Sequence, residues 1–250
     1  MSDKKAALSK EQWSEHCRID LAEKITKDIC NDNVPCWTRE LLKLTSEGEK
    51  CLEIGCGTGQ TSAYLSKYGR NITAIDYSEN SIALVNEISK RIDKGIETKC
   101  LDATKELPFQ NDEYDVVFHC GLLEHFEKPD RINMLKNWRR FSKKMISMVP
   151  NAASLPYRVG KQIMESNGTW KYGLEIPQLS LADEFIAAGY SEIKEYTIGT
   201  EHALSFLSKR HYLYKSLQKL LKENIDLDEY GQGYLLVTIG LNRSGGRQQL

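Results

Sequence analysis

Three glycines at alternate positions follow an acid at the end of a short apolar run. Residues 50–59 read Lys-Cys-Leu-Glu-Ile-Gly-Cys-Gly-Thr-Gly. Because glycine has no Cβ atom, it permits positive φ angles and lets the backbone approach a ligand closely. A strand end, a tight turn and a helix start within so short a stretch are typical of a site for a flat nucleoside. The residues expected to contact this ligand are Glu53, Gly55, Cys56, Gly57 and Gly59.

The glycine spacing favours a cationic ligand over a dinucleotide. Dinucleotide-binding loops usually read Gly-x-Gly-x-x-Gly, with a helix N-terminus directed at the pyrophosphate. This loop reads Gly-x-Gly-x-Gly, and Glu53 stands two residues before the first glycine. A carboxylate at that point would repel a pyrophosphate and attract a positive charge.

Polar residues also follow the next three predicted strands. Asp76 is placed to accept hydrogen bonds from a ribose diol, and Asp102 to accept one from an adenine amino group. The fourth strand ends at His119-Cys120-Gly121. Ligands of open α/β sheets bind at the carboxyl ends of the strands, so we expect these ends to meet in one crevice. Further residues predicted to contact the ligand there are Tyr77, Ala103 and Cys120.

The elements that position these residues alternate between strands and helices from residue 50 onwards, which predicts an α/β fold with a parallel sheet covered on both faces. Strands are predicted at 50–54, 71–76, 96–101, 114–119, 143–149, 191–198 and 234–241. Helices are predicted at 9–30, 58–68, 78–93, 130–141, 180–189 and 202–223.

This pattern resembles the class I S-adenosylmethionine-dependent methyltransferases over roughly residues 50–198 and the final strand. The Glu-x-Gly-x-Gly-x-Gly run, Asp76, the Asp102-Ala103 pair and the strand beginning Asp115-Val-Val-Phe fall in the family's order. The segment Gly121-Leu-Leu-Glu-His-Phe126 is similar to the Leu-Glu-His segment of small-molecule methyltransferases of the ubiquinone-biosynthesis type (type 11).

The resemblance implies a Rossmann-like three-layer sandwich. Its sheet would have seven mostly parallel strands with an antiparallel last strand, and a helical and loop cap would cover it. The implied cofactor is S-adenosyl-L-methionine. Its amino-acid portion would lie at Gly55–Gly59, its ribose at Asp76 and its adenine amino group at Asp102.

Methyl transfer from a sulfonium is an in-line displacement, so the protein chiefly orients the acceptor and excludes water. A general base is needed when the acceptor carries a proton of high pKa. His125 is the first candidate for such a catalytic group, followed by Glu124 and then His119. The alternative is that the histidine caps or packs against the helix that follows.

A metal site is not predicted at this segment. Related RNA-terminal methyltransferases carry Glu-x-x-Glu-His and bind a divalent cation, but Gly121 stands where the first glutamate would be. The sequence also lacks a Cys-x-x-Cys pair. We therefore expect no metal.

Two segments outside the alternation, 151–178 and 200–231, are predicted to form cap insertions that choose the acceptor. The first carries the residues predicted to bind it, which are Tyr157, Arg158, Trp170 and Glu175. Alternatively, this loop packs on its own aromatic side chains.

In the N-terminal helical segment 1–45, Trp13 and Trp37 either close the cofactor side or pack into the core. Basic residues around 202–223 form either a solvated face or a nucleic-acid patch.

The length and the net charge of the chain limit the classes of function that we expect. The 250 residues suit one methyltransferase domain over 1–250, with 242–250 expected as a disordered tail. A formal net charge of −1 and no bilayer-length apolar run give no reason to expect a nucleic-acid or membrane partner. The N-terminus lacks a secretory signal pattern, and seven scattered cysteines suit a reducing compartment, so we expect a cytoplasmic protein. The sequence leaves open whether it is a monomer or a homodimer. The leading hypothesis is methyl transfer to a small organic acceptor in biosynthesis. The alternatives are an RNA or protein methyltransferase and a non-catalytic cofactor-binding protein.

Overall fold

The computed structural model describes residues 8–242, and within them seven strands form one sheet. The strands are β1 (Lys50–Ile54), β2 (Asn71–Asp76), β3 (Ile96–Cys100), β4 (Tyr114–Cys120), β5 (Ser142–Pro150), β6 (Ser191–Ile198) and β7 (Leu235–Leu241). Their order in the sheet is β3-β2-β1-β4-β5-β7-β6. Pairs of neighbouring strands are parallel except those that include β7, which is antiparallel to both β5 and β6. The predicted seven-stranded sheet with an antiparallel last strand is confirmed.

Helices cover both faces of this sheet. They are α1 (Lys10–Ser14), α2 (Ala22–Cys30), α3 (Cys36–Leu44), α4 (Gln60–Lys67), α5 (Glu79–Arg91), α6 (Lys128–Arg139), α7 (Leu155–Ser166), α8 (Ala182–Ala188), α9 (Thr200–Leu204) and α10 (Tyr212–Lys222). Because successive side chains of a strand point to opposite faces, β4 supplies both layers of the core. Phe118 packs with the α2–α5 layer, while Val117 packs with α6 and α8. The predicted Rossmann-like three-layer sandwich is confirmed.

Two predicted long helices are each broken in the structure. In the 9–30 segment, His16 and Cys17 donate to carbonyls three residues back, which ends α1 and leads through a short 3-10 turn into α2. In the 202–223 segment, His211 caps α10 by accepting a hydrogen bond from the Leu213 amide at 3.2 Å. Helical spacing of apolar residues continues across both breaks, so periodicity alone does not reveal them.

The cap differs from a simple loop. The 151–178 segment contains α7, whose Gly160 packs so closely on α9 and its flank that a Cβ atom would lie 2.4 Å from Phe206 Cβ. Tyr157, Trp170 and Ala203 form a buried cluster there, with Phe206 and Tyr234 packed against it. The two predicted insertions therefore meet in a core of their own.

At the C-terminal end, Asn242 is tied to the fold by its side-chain amide, which donates to the Arg139 and Ser142 carbonyls at 2.8 and 2.9 Å. Asn242, the first residue of the predicted tail, is therefore ordered, and the rest of that segment, 243–250, lies outside the described residues. Within 8–242, helices of the length and apolarity that a bilayer span requires do not occur.

Candidate active site

A cavity of about 520 Å³ lies at the carboxyl edge of the sheet, where the ends of β1 to β4 meet. The residues predicted to bind the cofactor line it, with one exception discussed below. Those that do are Glu53, Gly55, Cys56, Gly57, Asp76, Tyr77, Asp102, Ala103 and Cys120. The topology thus brings together residues that are up to 67 positions apart (Glu53 to Cys120, 120 − 53).

The glycine turn has the backbone that the sequence predicts. Gly55, Gly57 and Gly59 have φ angles of +68°, +50° and +67°, a region that favours glycine. The turn is fastened to the neighbouring strand, because the amides of Gly55 and Cys56 donate to the Ile75 carbonyl at 2.8 and 3.0 Å. A bare backbone surface therefore faces the cavity.

Gly59 is the exception, because it does not line the cavity. It caps α4, and a Cβ atom at this position would lie 2.3 Å from Val85 Cγ2 on α5. The predicted ligand contact at Gly59 is not observed, and the glycine instead permits two helices to pack closely.

Glu53 is a buried carboxylate on the wall of the cavity. Its Oε2 atom accepts hydrogen bonds from the Ser62 amide at 3.0 Å and the Ser62 hydroxyl at 2.5 Å. Burial raises the pKa of this carboxyl group to about 7, against the two hydrogen bonds, which lower it. A cationic group in the cavity would stabilise the ionised form.

Asp76 and Asp102 present further carboxylate oxygens. Asp76 accepts from the Gly57 amide through Oδ2 and from the Ser78 amide through Oδ1, both at 2.9 Å, so it links the glycine turn to α5. Burial raises the pKa of the Asp76 carboxyl group. Asp102 is exposed, and its Oδ1 atom accepts from the Thr104 amide and hydroxyl at 2.9 and 2.7 Å. Its Oδ2 atom makes no hydrogen bond within residues 8–242, which leaves it directed to ligand or solvent.

The aspartate and glutamate side chains on the cavity wall are not balanced by lysine or arginine within residues 8–242. Glu53, Asp76 and Asp102 line it, whereas no lysine or arginine of the described chain does. Such a wall attracts a cation and disfavours a pyrophosphate. The Cys56 thiol is no nucleophile here, since burial raises its pKa well above the usual range, and it fills the tight turn as a small apolar group.

Comparisons with known proteins agree with this geometry. Residues 51–145 match the family described as "Methyltransferase domain". Over these residues the chain is similar to methyltransferase domains. The cofactor of this domain is S-adenosylmethionine, and the cationic sulfonium and ammonium groups of that molecule fit the acidic, lysine-free wall.

A curated relative, the ubiquinone biosynthesis O-methyltransferase of Coxiella burnetii, is 32% identical over 95 residues, which are 38% of this chain and 39% of the relative. The chain thus spans about two fifths of the length of that relative. Among solved structures, an S-adenosylmethionine-dependent methyltransferase from Thermotoga maritima has a TM-score of 0.55 at 19% identity, covering 82% of this chain and 87% of its own. The [4+2]-cyclase SpnF has a TM-score of 0.53 at 15% identity, covering 84% and 80%. These two structures establish the fold.

His125 lines the cavity from a 3-10 turn that follows β4. Its Nδ1 atom lies 2.6 Å from the Leu174 carbonyl oxygen. A carbonyl can only accept a hydrogen bond, so Nδ1 carries the proton and Nε2 of the neutral ring holds a lone pair. Burial lowers the pKa of His125, which keeps the ring neutral at physiological pH.

Glu124 does not line the cavity, contrary to its predicted place in the catalytic group. Its side chain is buried, and Oε1 lies 3.8 Å from His125 Nε2. Burial raises the pKa of the Glu124 carboxyl group well above its usual range. Glu124 is therefore buried next to His125 and does not contact the cavity.

His119, the last of the predicted catalytic candidates, does not line the cavity. Its ring is fully buried, 5.9 Å from the Trp138 ring on the α6 face of the sheet. Burial lowers its pKa to about 3, and neither ring nitrogen has a hydrogen-bond partner within the described residues. Side chains of a strand alternate, so His119 points away while Cys120 reaches the cavity.

The four residues predicted to bind the acceptor do not line the cavity either. Tyr157 and Trp170 are buried, and the Glu175 side chain is only 4% exposed, while Arg158 is exposed. The Tyr157 hydroxyl donates to Glu175, so these groups bind one another within the cap. The alternative left open above, a loop that packs on its own aromatic residues, describes the observed arrangement.

Residues 8–17, which we call the lid, contribute to the wall of the cavity. None of them is among the cofactor-binding or acceptor-binding residues that the sequence predicts. Leu8, Trp13 and Cys17 of the lid face the cavity, and the Trp13 ring lies 5.2 Å from the His125 ring. The lid is held by a hydrogen bond of 2.8 Å between the hydroxyls of Ser14 and Ser78. Trp13 and Trp37 thus adjoin the ligand space. Other lining residues that were not predicted are Thr58, Gln60, Thr61, Ser81, Leu101, Thr104, Gly121, Leu122 and Phe126.

We expect binding of S-adenosylmethionine to release a proton from Glu53 below pH 7. With a pKa of about 7 in the free protein, about nine tenths of Glu53 is protonated at pH 6, and a bound cation would ionise it. Affinity should therefore rise as the pH increases from 6 to 7. Calorimetric titrations in two buffers of different ionisation enthalpy measure the release.

The matched control for this prediction is Glu53→Gln, which keeps the shape and can still accept from Ser62. It should abolish the proton release and weaken binding about tenfold or more. A wild-type protein that binds without releasing a proton at pH 6 would show that Glu53 does not face the cation.

Proposed function

We propose that the protein is an S-adenosylmethionine-dependent methyltransferase that acts on a small organic acceptor in biosynthesis. The observation that supports this most is the 520 Å³ cavity, in which three carboxylates and a bare glycine turn face a neutral histidine. The curated relative's printed name, an O-methyltransferase of ubiquinone biosynthesis, supports the same class of acceptor.

In this proposal each group on the wall has one task. S-adenosylmethionine supplies an electrophilic methyl group on a sulfonium. Glu53 binds the ammonium of its amino-acid portion, Asp76 the ribose and Asp102 the adenine amino group. The lid excludes water and holds the acceptor near in-line geometry. His125 Nε2 accepts the proton that the acceptor loses.

The walls around His125 suit an uncharged acceptor. The Trp13 ring lies 5.2 Å from the His125 ring, and Trp37, Leu122 and Phe126 add further apolar and aromatic surface to the same cavity. One cavity of this size has to hold the cofactor and the acceptor together, so the acceptor must be small. A neutral group that loses a proton on methylation, such as a phenol or a thiol, fits both the walls and the neutral imidazole.

The cellular setting is also part of the proposal. We place the protein in the cytoplasm as a monomer or homodimer, without a nucleic-acid or membrane partner. All seven cysteines are free thiols in the structure, which suits a reducing compartment. The net charge of −1 gives no general attraction to polyanions.

The test is to incubate the protein with S-adenosylmethionine and panels of small phenols, thiols and amines, and to measure S-adenosylhomocysteine by mass spectrometry. We expect turnover with phenols or thiols, with a methylated product in equal amount. Because the fold also occurs in a [4+2]-cyclase, cofactor binding without turnover on any panel would contradict methyl transfer. Turnover on RNA alone, weakened by salt, would support the nucleic-acid alternative instead.

A further inference from the structure

A short segment of the cap, Leu174–Ile176, is clamped directly onto the candidate base. We call it the strap. The Leu174 carbonyl accepts from His125 Nδ1 at 2.6 Å, and the Ile176 amide donates to the Glu124 carbonyl at 2.8 Å. These two bonds, which join Leu174 to His125 and Ile176 to Glu124, fix both the position of the strap and the proton on the imidazole. The strap therefore determines which ring nitrogen can accept a proton in the cavity.

The strap is held in turn by a buried lysine of α7. Lys161 Nζ donates to the Glu175 carbonyl at 2.8 Å and lies 3.4 Å from Glu175 Oε1. The side chains of Lys161 and Glu175 are only 9% and 4% exposed. A desolvated ion pair is costly to form and costly to break, since removal of one partner leaves the other charge buried and unpaired.

Aromatic groups enclose this ion pair. Lys161 Nζ lies 4.8 Å from the centre of the Trp170 ring, and the Tyr157 hydroxyl donates to Glu175 Oε1. The ammonium thus has a carbonyl, a carboxylate and a ring face around it, and the carboxylate has a second donor. This explains why Tyr157, Trp170 and Glu175 are buried together although none of them lines the cavity.

We propose that Lys161 is a positioning residue for His125. Through Glu175 it holds the strap, the strap carbonyl keeps the proton on Nδ1, and Nε2 is left free to accept a proton in the cavity. The tautomer of His125 is a property of the free protein. The inference rests on the proposed function only where it assigns to Nε2 the role of accepting a proton from the acceptor.

The charged and titratable groups near His125 come from several elements. Glu124 lies on the same turn, Glu175 on the strap and Lys161 on α7, and buried His119 on β4 is also close enough to interact. Among them Lys161 donates to the Glu175 carbonyl, which is next in the strap to the Leu174 carbonyl that faces Nδ1. Lys161 does not line the cavity. Its loss would change the tautomer of His125 without removing a ligand contact.

The test uses the full chain without ligand, labelled with ¹⁵N at histidine. In the wild-type protein we expect the ¹⁵N shifts of His125 to report a proton on Nδ1 and a lone pair on Nε2. Lys161→Met should convert this to a mixture of tautomers, and Lys161→Arg should largely restore the wild-type state. The matched control is Lys171→Met, which removes the same charge from an exposed side chain close to the strap and should change nothing.

Activity gives the second readout. For Lys161→Met we expect kcat to fall about 10- to 100-fold, because a misplaced base costs that much, with the KM for S-adenosylmethionine unchanged. The acid limb of the kcat profile should shift in Lys161→Met and not in Lys171→Met. If Lys161→Met does not fold, Glu175→Gln, which keeps the side-chain shape, is measured against the same criteria.

An unchanged Nδ1 tautomer in the folded Lys161→Met or Glu175→Gln variant overturns the inference. A tautomer change of equal size in Lys171→Met overturns it as well, because the effect would then be a general loosening of the cap. The failure of the proposed function looks different. In that case the tautomer responds to Lys161 as described, but the wild-type protein transfers no methyl group.

Discussion

Replacement of His125 by asparagine is expected to lower kcat by about 10²- to 10⁴-fold, the usual contribution of a general base. Asparagine offers no basic nitrogen, so the proton of the acceptor would have to go to water. Cofactor affinity should change by less than about threefold, because the proposed cofactor contacts are made by the acids and not by His125. Steady-state kinetics and calorimetry on the same preparation measure the two effects.

The matched control is His211→Asn. His211 caps α10 through its side chain, and asparagine is an equally good capping residue, so both fold and activity should be kept. Loss of activity in the control, or a loss below about threefold in His125→Asn, would contradict the assignment of the base.

The pH profile of the wild-type protein checks the same group. The base must be neutral to accept a proton, and burial lowers the pKa of His125 below its ordinary value. At saturating S-adenosylmethionine, kcat should therefore fall on the acid side only below about pH 6.5, the ordinary pKa of histidine. In His125→Asn this acid limb should disappear.

Replacement of Gly59 by alanine is expected to lower the free energy of unfolding by about 2–4 kcal/mol, the sum of a strained φ angle and an overpacked contact. The φ angle is +67°, and the new Cβ atom would lie 2.3 Å from Val85 Cγ2. Both α4 and α5 are packed on the sheet, so neither helix can move away without a loss of core contacts. Urea unfolding at equilibrium measures the change.

Two glycines of the same chain provide matched controls. Gly48 has a φ angle of +82° and nothing within 4 Å of a Cβ atom, so Gly48→Ala should cost about 1 kcal/mol. Gly57→Ala should cost a similar amount, since its Cβ position is also open. Gly57 lines the cavity and Gly48 does not, so only Gly57→Ala should weaken cofactor binding, by about tenfold or more. A cost for Gly59→Ala no larger than for Gly48→Ala would contradict the packing role.

The cofactor half of the site follows from the sequence because its determinants are local. Each acid or glycine stands at the end of a strand, and the parallel order of β1 to β4 carries those ends to one edge. Glu53 and Asp76 could therefore be assigned to the cavity from their positions alone. Gly59 could not, because its role depends on Val85 of another helix.

The acceptor half could not be predicted in the same way. His119 and Cys120 are neighbours on β4, and their side chains point to opposite faces of the sheet. Which of the two reaches the cavity depends on how the alternation of side chains along β4 is set, and the sequence does not show this. In the cap, Tyr157 and Glu175 are polar groups that bind each other rather than a ligand. Such pairing depends on how α7 packs against residues far along the chain, and a spacing pattern does not encode it.

We expect the acidic, glycine-lined cavity to bind S-adenosylmethionine. Isothermal titration calorimetry of the full chain with S-adenosylmethionine, and in parallel with a nicotinamide dinucleotide, tests it most directly. We predict one S-adenosylmethionine site with a Kd between about 1 μM and 1 mM, the range usual for enzyme substrates, and no dinucleotide binding. A titration with no heat and no thermal shift for S-adenosylmethionine, or tighter binding of the dinucleotide, would contradict it.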